Sequence, residues 1–322
     1  MTTAGRRETV INGTGVQVID IHAHCVVTEA AALMGFNGNN ATLPLDAYAT
    51  RLADMDAQGI DVEALSINPF WYGADEKTAA EVIRVQNEAL AAFVARRPDR
   101  FVALATVALQ HPDLAAQQLE DGVKRLGLRG ALVGGSVEGE EIADRRFDPF
   151  WAKAEELQVP IFIHPQGVPT LASRLQGNGI LDNVIGNPLE TTIALSHLVF
   201  EGTLERYPRL IIVGAHGGGY LPSYMHLSDA GGRTFPARYS PLPKQPTDYL
   251  RQVYVDSLVF TPEALRHLVA EMSSSHIVVG TDYPSPWTTT PVDHVLATPG
   301  LTDADRIAIL GGTAARLLGI EG

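Results

Sequence analysis

Histidines and one aspartate end four strand-like runs that lie far apart along the chain. They are His22 and His24 in VIDIHAH, His164 in PIFIHPQG, His216 in LIIVGAHGGG and Asp282 in HIVVGTDYP. In each run, β-branched and aliphatic residues lead to a side chain that can bind a metal, and turn-forming residues follow. Barrel enzymes place their chemistry at the C-terminal ends of such buried parallel strands. The sequence therefore predicts a site for a divalent metal ion.

The spacing of His22 and His24 places both imidazoles on one side of a strand. Side chains alternate along a strand, so residues two apart share a face, which in a barrel is the lumen. His164 and Asp282 enter the same lumen from two other strands, whereas alternation turns Cys25 away. We predict that His22, His24, His164 and Asp282 bind the metal, without an organic cofactor. Three neutral imidazoles and a carboxylate suit Zn²⁺, with Mn²⁺, Co²⁺ or Fe²⁺ as alternatives, and leave a position open for water.

His216 differs from the other candidates because three glycines follow it directly. Glycines let the backbone and a substrate approach closely, and an imidazole with a pKa of about 6.5 can move a proton. We therefore predict that His216 is a catalytic acid or base; a fifth ligand or a packing residue is the alternative. The remaining histidines are predicted to make surface or packing contacts, namely His111, His197, His226, His267, His276 and His294.

Strand-like and helical patterns alternate along the chain. Strands are predicted at 16–22, 62–67, 101–108, 130–137, 160–164, 210–216, 253–259 and 276–282. Helices are predicted at 45–58, 77–96, 112–126, 147–157, 189–206, 219–229, 262–273 and 303–318. Eight strand–helix pairs predict an α/β fold, a (β/α)8 TIM barrel. We expect one domain over 1–322, with residues 1–15 as an N-terminal extension.

Two connections are longer than is usual in compact domains. Residues 25–44 follow the first strand, and residues 229–250 carry several prolines; the segment 166–188, directly after the His164 strand, is also irregular. Long loops of this kind are often functional. We expect 166–188 to form a wall of the pocket and 229–250 to lie at an interface between subunits.

The composition excludes several classes of protein. The formal net charge is −13, which argues against nucleic-acid binding. The single cysteine excludes an internal disulfide and is typical of a reducing compartment. The N-terminal segment has no apolar stretch typical of a signal peptide, and no run is long enough to span a membrane. We therefore predict a cytoplasmic protein without membrane partners.

The chain resembles the aminocarboxymuconate-semialdehyde decarboxylase family of the metal-dependent amidohydrolase superfamily. The resemblance covers residues 16–318 and rests on DIHAH, RLADMDAQGIDV, FIHP, PLETTIALSHLVFEGTLERYPRLIIVGAHGGGYLP, YVDSLVF and VVGTDYPSPW. It implies a barrel with one divalent ion, usually zinc, and it carries the four ligands and the catalytic histidine onto the residues predicted above. It also implies that Asp282 passes a proton to the substrate.

The chain differs from the aminocarboxymuconate enzymes at positions that bind the substrate in that family. Gln166 replaces a tryptophan of the aminocarboxymuconate enzymes, and the segment before RLADMDAQGID lacks their carboxylate-binding arginine. A second arginine, which crosses the dimer in that family, has a counterpart in Arg233 or Arg238. We predict that Arg233, Arg238, Gln166 and Trp287 bind a small carboxylate substrate in a homodimer. The loss of one arginine favours an acid with one carboxylate fewer.

Three classes of function are compatible with these residues. The first is a non-oxidative decarboxylase, a C–C lyase acting on an unsaturated or aromatic acid with an adjacent hydroxyl or amino group, in the catabolism of aromatic compounds. The second is a hydrolase or hydratase of a related ring-cleavage product or lactone, since the same metal chemistry serves both. The third, a barrel without enzymatic activity, is disfavoured because all ligand positions are intact.

Overall fold

The computed structural model describes residues 6–35, 43–239 and 242–321. The described chain starts with an antiparallel hairpin of β1 (Thr9–Ile11) and β2 (Thr14–Val16), which lies within the predicted N-terminal extension. Arg6 pairs with Asp61 and Arg7 pairs with Asp293. These two ion pairs tie the start of the chain to the body of the protein.

Eight further strands in the described ranges belong to a parallel barrel. They are β3 (Ile19–His24), β4 (Val62–Ser66), β5 (Phe101–Ala103), β6 (Ala131–Gly134), β9 (Pro160–His164), β10 (Ile211–Gly214), β11 (Val253–Asp256) and β12 (Ile277–Val278). A small antiparallel hairpin, β7 (Ser136–Val137) and β8 (Glu140–Glu141), follows β6. The runs are rich in Val, Ile, Leu and Ala and are buried on both faces, as parallel barrel strands are.

Two parallel ladders and two junctions close the barrel. One ladder runs β3–β4–β5 and the other runs β6–β9–β10–β11–β12. The amide of Ala105 donates to the carbonyl of Gly130 at 2.8 Å and joins the ladders on one side. The amide of Ile21 donates to the carbonyl of Val279 at 3.0 Å and joins them on the other. The predicted fold class, an amidohydrolase-like TIM barrel, is confirmed.

The helices surround this barrel. They are α1 (Thr28–Leu33), α2 (Tyr48–Gln58), α3 (Glu76–Val94), α4 (Pro112–Lys124), α5 (Asp148–Leu157), α6 (Asn187–Phe200), α7 (Thr203–Arg206), α8 (Leu221–Thr234), α9 (Pro246–Leu250), α10 (Pro262–Met272), α11 (Pro291–Ala297), α12 (Asp303–Ile307) and α13 (Thr313–Leu318). Apolar residues at helical spacing face the strands, and α13 adds Ala314, Leu317 and Leu318 to the buried cluster that also holds Ile19 of β3. This apolar cluster leaves the C-terminal strand ends as the place for polar chemistry.

The predicted loops contain more regular structure than expected. Helix α1 lies within the predicted loop 25–44, of which residues 36–42 fall outside the described part. Helix α8 runs to Thr234 rather than ending at 229, and α9 begins at Pro246, so the loop predicted over 229–250 was wrong at both ends. The wall segment 166–188 contains a short 3-10 helix and a π-helical turn. Pro169 starts the 3-10 helix and Pro246 starts α9, a signal that the loop prediction overlooked.

The eighth barrel strand is shorter than predicted. The ladder covers only Ile277–Val278, and His276, expected to begin that strand, lies in a 3-10 helix instead. Its ring stacks on Tyr254 at a centroid distance of 4.7 Å. Helix α11 at Pro291–Ala297 was not predicted at all.

None of the helices in the described ranges has both the length and the apolar character needed to cross a membrane.

Candidate metal centre

Three histidines and an aspartate converge at the C-terminal end of the barrel. His22 and His24 come from β3, His164 ends β9, and Asp282 follows β12. Their ligand atoms all lie within 4.8 Å of one another. Oδ1 of Asp282 is 3.1 Å from Nε2 of His22, 3.0 Å from Nε2 of His24 and 3.7 Å from Nε2 of His164. The structure thus brings the four predicted ligands together.

The donor set fits a divalent cation. All four side chains are buried, and the buried ring nitrogens of His164 have no hydrogen-bond partner among the described residues. A buried imidazole without partners is costly in a protein interior unless another group, such as an ion, satisfies it. Nitrogen and carboxylate donors of this kind bind zinc and other first-row divalent ions.

The electrostatics of the cluster favour positive charge at its centre. Burial opposes a charged His22, but the attraction of Asp282 and the hydrogen bond to Asp256 outweigh burial and raise its pKa to about 10. Burial likewise opposes ionisation of Asp282, yet the surrounding imidazoles hold its pKa well below the usual range. Burial lowers the pKa of His164 to about 3, which keeps that ring neutral. The cluster therefore carries a proton on His22, and a divalent ion, which requires neutral imidazoles, would take the place of that proton.

Two side chains orient the rings of β3. Nδ1 of His22 lies 2.6 Å from Oδ2 of Asp256, and Nδ1 of His24 lies 3.0 Å from the hydroxyl of Ser66. In both rings Nε2 is therefore the atom that faces the cluster. Such partners fix the orientation of metal-binding histidines.

Asp256 is the residue that the sequence-based prediction missed. It ends β11 and is fully buried, and it also accepts hydrogen bonds from the backbone N–H groups of His216 and Gly217 at 2.9 and 2.8 Å. The strand was predicted over 253–259 because the apolar run continues as VYVDSLV, whereas the observed strand stops at Asp256 and so places this carboxylate at a strand end. Asp20 plays a similar part on the other side, accepting from the amide of His22 at 2.9 Å.

His216 borders the cluster without belonging to its four-residue core. Its Nε2 is 3.9 Å from Oδ2 of Asp282, and its ring centroid is 5.5 Å from that of His164. The backbone of His216 has φ +55° and that of Asp282 has φ +60°. Left-handed backbone at residues other than glycine is uncommon and clusters at functional sites. The distances show that Asp282 turns Oδ1 to the three histidines and Oδ2 to His216.

Two cavities adjoin this centre. The amide-lined cavity, of about 340 Å³, contacts His24, His164 and Asp282 and is lined by the carboxamides of Asn68, Gln166, Asn183 and Asn187. The apolar cavity, of about 580 Å³, contacts His216 and is lined by Val184, Tyr220, Leu258, Phe260 and Trp287. Both cavities include Asn183, so they form adjoining parts of one mouth. The expectation that segment 166–188 walls the pocket agrees with this lining.

The predicted substrate-binding residues separate into two groups. Gln166 lines the amide-lined cavity and Trp287 the apolar cavity. Arg233 lies in the last turn of α8 and Arg238 in the 3-10 helix Pro236–Arg238; both are exposed and line neither cavity. Within one subunit, the structure therefore brings only Gln166 and Trp287 to the site.

The remaining histidines lie away from the metal cluster. His197 is partly exposed on α6 near Glu141, and His226 pairs with Glu271. His294 lines a third cavity, which shares Leu258, Phe260 and Trp287 with the apolar cavity. Cys25 is buried and its thiol faces the carbonyl of Ser66, which agrees with the expectation that it turns away from the ion.

Comparison with known proteins gives relatives with named activities. The gamma-resorcylate decarboxylase of Rhizobium radiobacter is 35% identical over 86% of this chain and 89% of its own. The 2-amino-3-carboxymuconate-6-semialdehyde decarboxylase of Dictyostelium discoideum is 29% identical over 84% of this chain and 76% of its own. These relatives are carboxy-lyases, as the resemblance to a decarboxylase family predicted.

A solved structure supports the metal centre as well as the fold. The dihydroxybenzoic acid decarboxylase of Polaromonas sp. JS666, with bound manganese and the inhibitor 2-nitroresorcinol, superposes with a TM-score of 0.81. It is 27% identical, and the match covers 95% of this chain and 97% of that one. The prediction of a metal-dependent enzyme is confirmed, while the choice of zinc is not decided. The family model described as Amidohydrolase matches residues 19–320, and the chain belongs to the amidohydrolase family.

Proposed function

We propose that this protein is a metal-dependent, non-oxidative decarboxylase of a small aromatic carboxylic acid that carries an adjacent hydroxyl group. The observation that carries the proposal is the cluster of His22, His24, His164 and Asp282 with His216 at its border. The named activities of the relatives, gamma-resorcylate decarboxylase among them, support the choice of reaction. Resorcylate and dihydroxybenzoic acid, the substrates named for two of these relatives, have a ring with hydroxyl and carboxyl groups, and they define the class we propose here.

The four clustered residues would hold one divalent ion. Zinc suits three histidines and a carboxylate, and the manganese of the Polaromonas relative makes Mn²⁺ the principal alternative. When bound, the ion supplies Lewis acidity toward the oxygen atoms of the substrate. The remaining chemistry belongs to the side chains around it.

Decarboxylation requires a proton at the ring carbon that carries the carboxylate. As the C–C bond breaks, CO₂ leaves, the electron pair stays on the ring carbon, and the proton completes the new C–H bond. Oδ2 of Asp282 and Nε2 of His216 are 3.9 Å apart at the border of the two cavities. We assign the proton delivery to this pair: Asp282 is ionised at rest, so His216 passes a proton to Oδ2 of Asp282, and Asp282 passes it on to the ring carbon.

The two cavities fit a flat ring with polar substituents on one side. The carboxamides of Asn68 and Asn187 can donate to or accept from ring hydroxyl groups, and Gln166, whose Nε2 donates to the carbonyl of Pro69, can accept through its oxygen. Trp287 and Leu258 offer an apolar surface for the ring face. The described lining of both cavities contains neither lysine nor arginine, so nothing there pairs with a second carboxylate. This favours a monocarboxylate with hydroxyl groups.

The substrate carboxylate calls for a cation from outside this lining, which supports a homodimer. Arg233 and Arg238 are exposed near the exposed apolar residues Tyr224, Leu227 and Phe235, at 63%, 67% and 58% exposure. Aromatic residues and arginine are enriched at protein interfaces. In this proposal α8 and the segment after it pack against a second copy, and one arginine enters the partner's mouth. A cytoplasmic location remains part of the proposal.

The test is a screen of mono- and dihydroxybenzoic acids with the Zn²⁺- and Mn²⁺-loaded protein. CO₂ release is measured together with the appearance of the corresponding phenol. We expect turnover of at least one acid with a hydroxyl adjacent to the carboxylate. The isomer that carries this hydroxyl at a non-adjacent position should not be turned over. Water addition or lactone opening without CO₂ release would instead identify a hydratase or hydrolase.

A further inference from the structure

Arg51 on α2 places a fully buried guanidinium next to the metal centre. The side chain is 0% exposed. Nη1 donates to Oε2 of Glu63 at 2.7 Å, and Nη2 donates to the backbone carbonyl of His24 at 2.6 Å. The guanidinium carbon also lies 4.9 Å from the centre of the Tyr283 ring. One planar group thus contacts β3, β4 and the segment after β12.

These contacts involve both the histidines of β3 and the segment that carries the ligand Asp282. His24 is a ligand itself, and Tyr283 directly follows the ligand Asp282. The backbone joins the same two places, because the amide of His24 donates to the carbonyl of Tyr283 at 2.6 Å and that of Asp282 donates to the carbonyl of His22 at 2.8 Å. Arg51 therefore lies at the junction that sets the distance between the histidines of β3 and the aspartate.

Stability alone does not account for this buried pair. Glu63 is 1% exposed, and burial raises its pKa even with the guanidinium beside it. Replacing a buried ion pair by apolar residues of similar volume is often neutral or stabilising. The ion pair of Arg51 and Glu63 therefore has an orienting function, and the group that it orients is the end of β3.

We propose that Arg51 is a positioning residue that fixes the backbone of His24 and the turn at Asp282, and so sets the affinity of the site for a divalent ion. Glu63 holds the guanidinium in place for this role. The inference rests on the metal site of the proposed function. It assigns a role to a residue that is neither a ligand nor a hydrogen-bond partner of a ligand's ring, and that acts through the backbone of His24.

The test is a Co²⁺ titration followed by visible absorption, which reports both affinity and ligand geometry. The double variant Arg51→Met/Glu63→Leu removes both buried charges together, so it leaves no unpaired charge in the core. We expect it to fold, with a melting temperature near that of the wild type. We expect its dissociation constant for Co²⁺ to rise about 10–100-fold, the usual effect of losing support around a metal ligand, with an altered spectrum.

Arg100 offers a matched control. It is also buried, at 4% exposure, and donates to the carbonyl of Asp61 and to the carboxylate of Asp56, both at 2.7 Å. These contacts lie at the N-terminal end of β4, away from the ligands. Arg100→Met should lower the melting temperature and leave Co²⁺ affinity unchanged.

A second variant covers the case in which the double variant does not fold. Arg51→Lys keeps the charge opposite Glu63 but loses the planar fork that serves two acceptors at once. It should also bind Co²⁺ several-fold more weakly than the wild type. Wild-type affinity and spectrum in whichever of these variants folds would overturn the role of Arg51. A wild-type protein that binds no Co²⁺ would overturn the metal site itself, so the two failures are distinct.

Discussion

Oδ2 of Asp256 lies 2.6 Å from Nδ1 of His22, and both side chains are 0% exposed. The same carboxylate accepts from the backbone amides of His216 and Gly217. A single buried group thus orients a metal ligand and holds the backbone of the candidate acid or base. Asp256 therefore links the position of the metal ligand His22 to that of His216.

Asp256→Asn tests that coupling. The amide cannot serve His22 and both backbone N–H groups as the carboxylate does, so we expect affinity for Zn²⁺ to fall about 10–100-fold. Competition with a chromophoric chelator measures the change. Asp229→Asn is a matched control, because Asp229 is a buried aspartate that accepts from Thr247 on α9, away from the site. Equal affinities in wild type and Asp256→Asn would remove the orienting role.

The ligand assignment is tested by metal content. Purified wild-type protein should contain about one divalent ion per chain, and His22→Ala or Asp282→Ala should lose the ion together with activity. Asp282→Asn is the milder change and separates proton donation from metal binding. His276→Ala, which removes the stack on Tyr254 and the hydrogen bond with the Ser275 hydroxyl, should keep the ion. Full activity after rigorous metal removal would contradict the assignment.

The role of His216 is tested by comparing metal content with turnover. His216→Ala should keep the ion and lower kcat by about 10²–10⁴-fold, the usual contribution of a general acid or base. His197→Ala, on the partly exposed side of α6, should leave kcat unchanged. If the ion leaves with the His216 side chain, this residue is a fifth ligand instead.

The dimer and its arginine clamp are tested together. Sedimentation velocity should show a homodimer at the concentration of the assay. Replacing the arginine that binds the substrate carboxylate with lysine should raise KM sharply, because lysine cannot form the bidentate contact. We favour Arg233 slightly over Arg238. An active monomer contradicts the dimer, and normal substrate binding by both single Arg→Ala variants contradicts the clamp.

The sequence by itself determined the barrel and the candidate ligands, because both follow from local patterns. Apolar strand-like runs followed by apolar residues at helical spacing repeat along the chain. The HxH spacing of His22 and His24 can be read directly from the sequence. The rule that chemistry lies at strand ends then connected His164 and Asp282 to them. Asp256 also ends a strand, but the apolar run continues beyond it to residue 259, so the structure was needed to show where that strand stops.

Other features depended on contacts between residues far apart in the chain, which only the tertiary structure decided. Arg51 is 12 residues from Glu63, and nothing in their local pattern shows that both are buried or that the guanidinium also reaches His24. The division of Asp282 into an oxygen facing three histidines and one facing His216 depends on a left-handed backbone that its sequence context does not specify. The burial and orientation of these side chains are set by the closed barrel as a whole, so they cannot be predicted from the local spacing of residues.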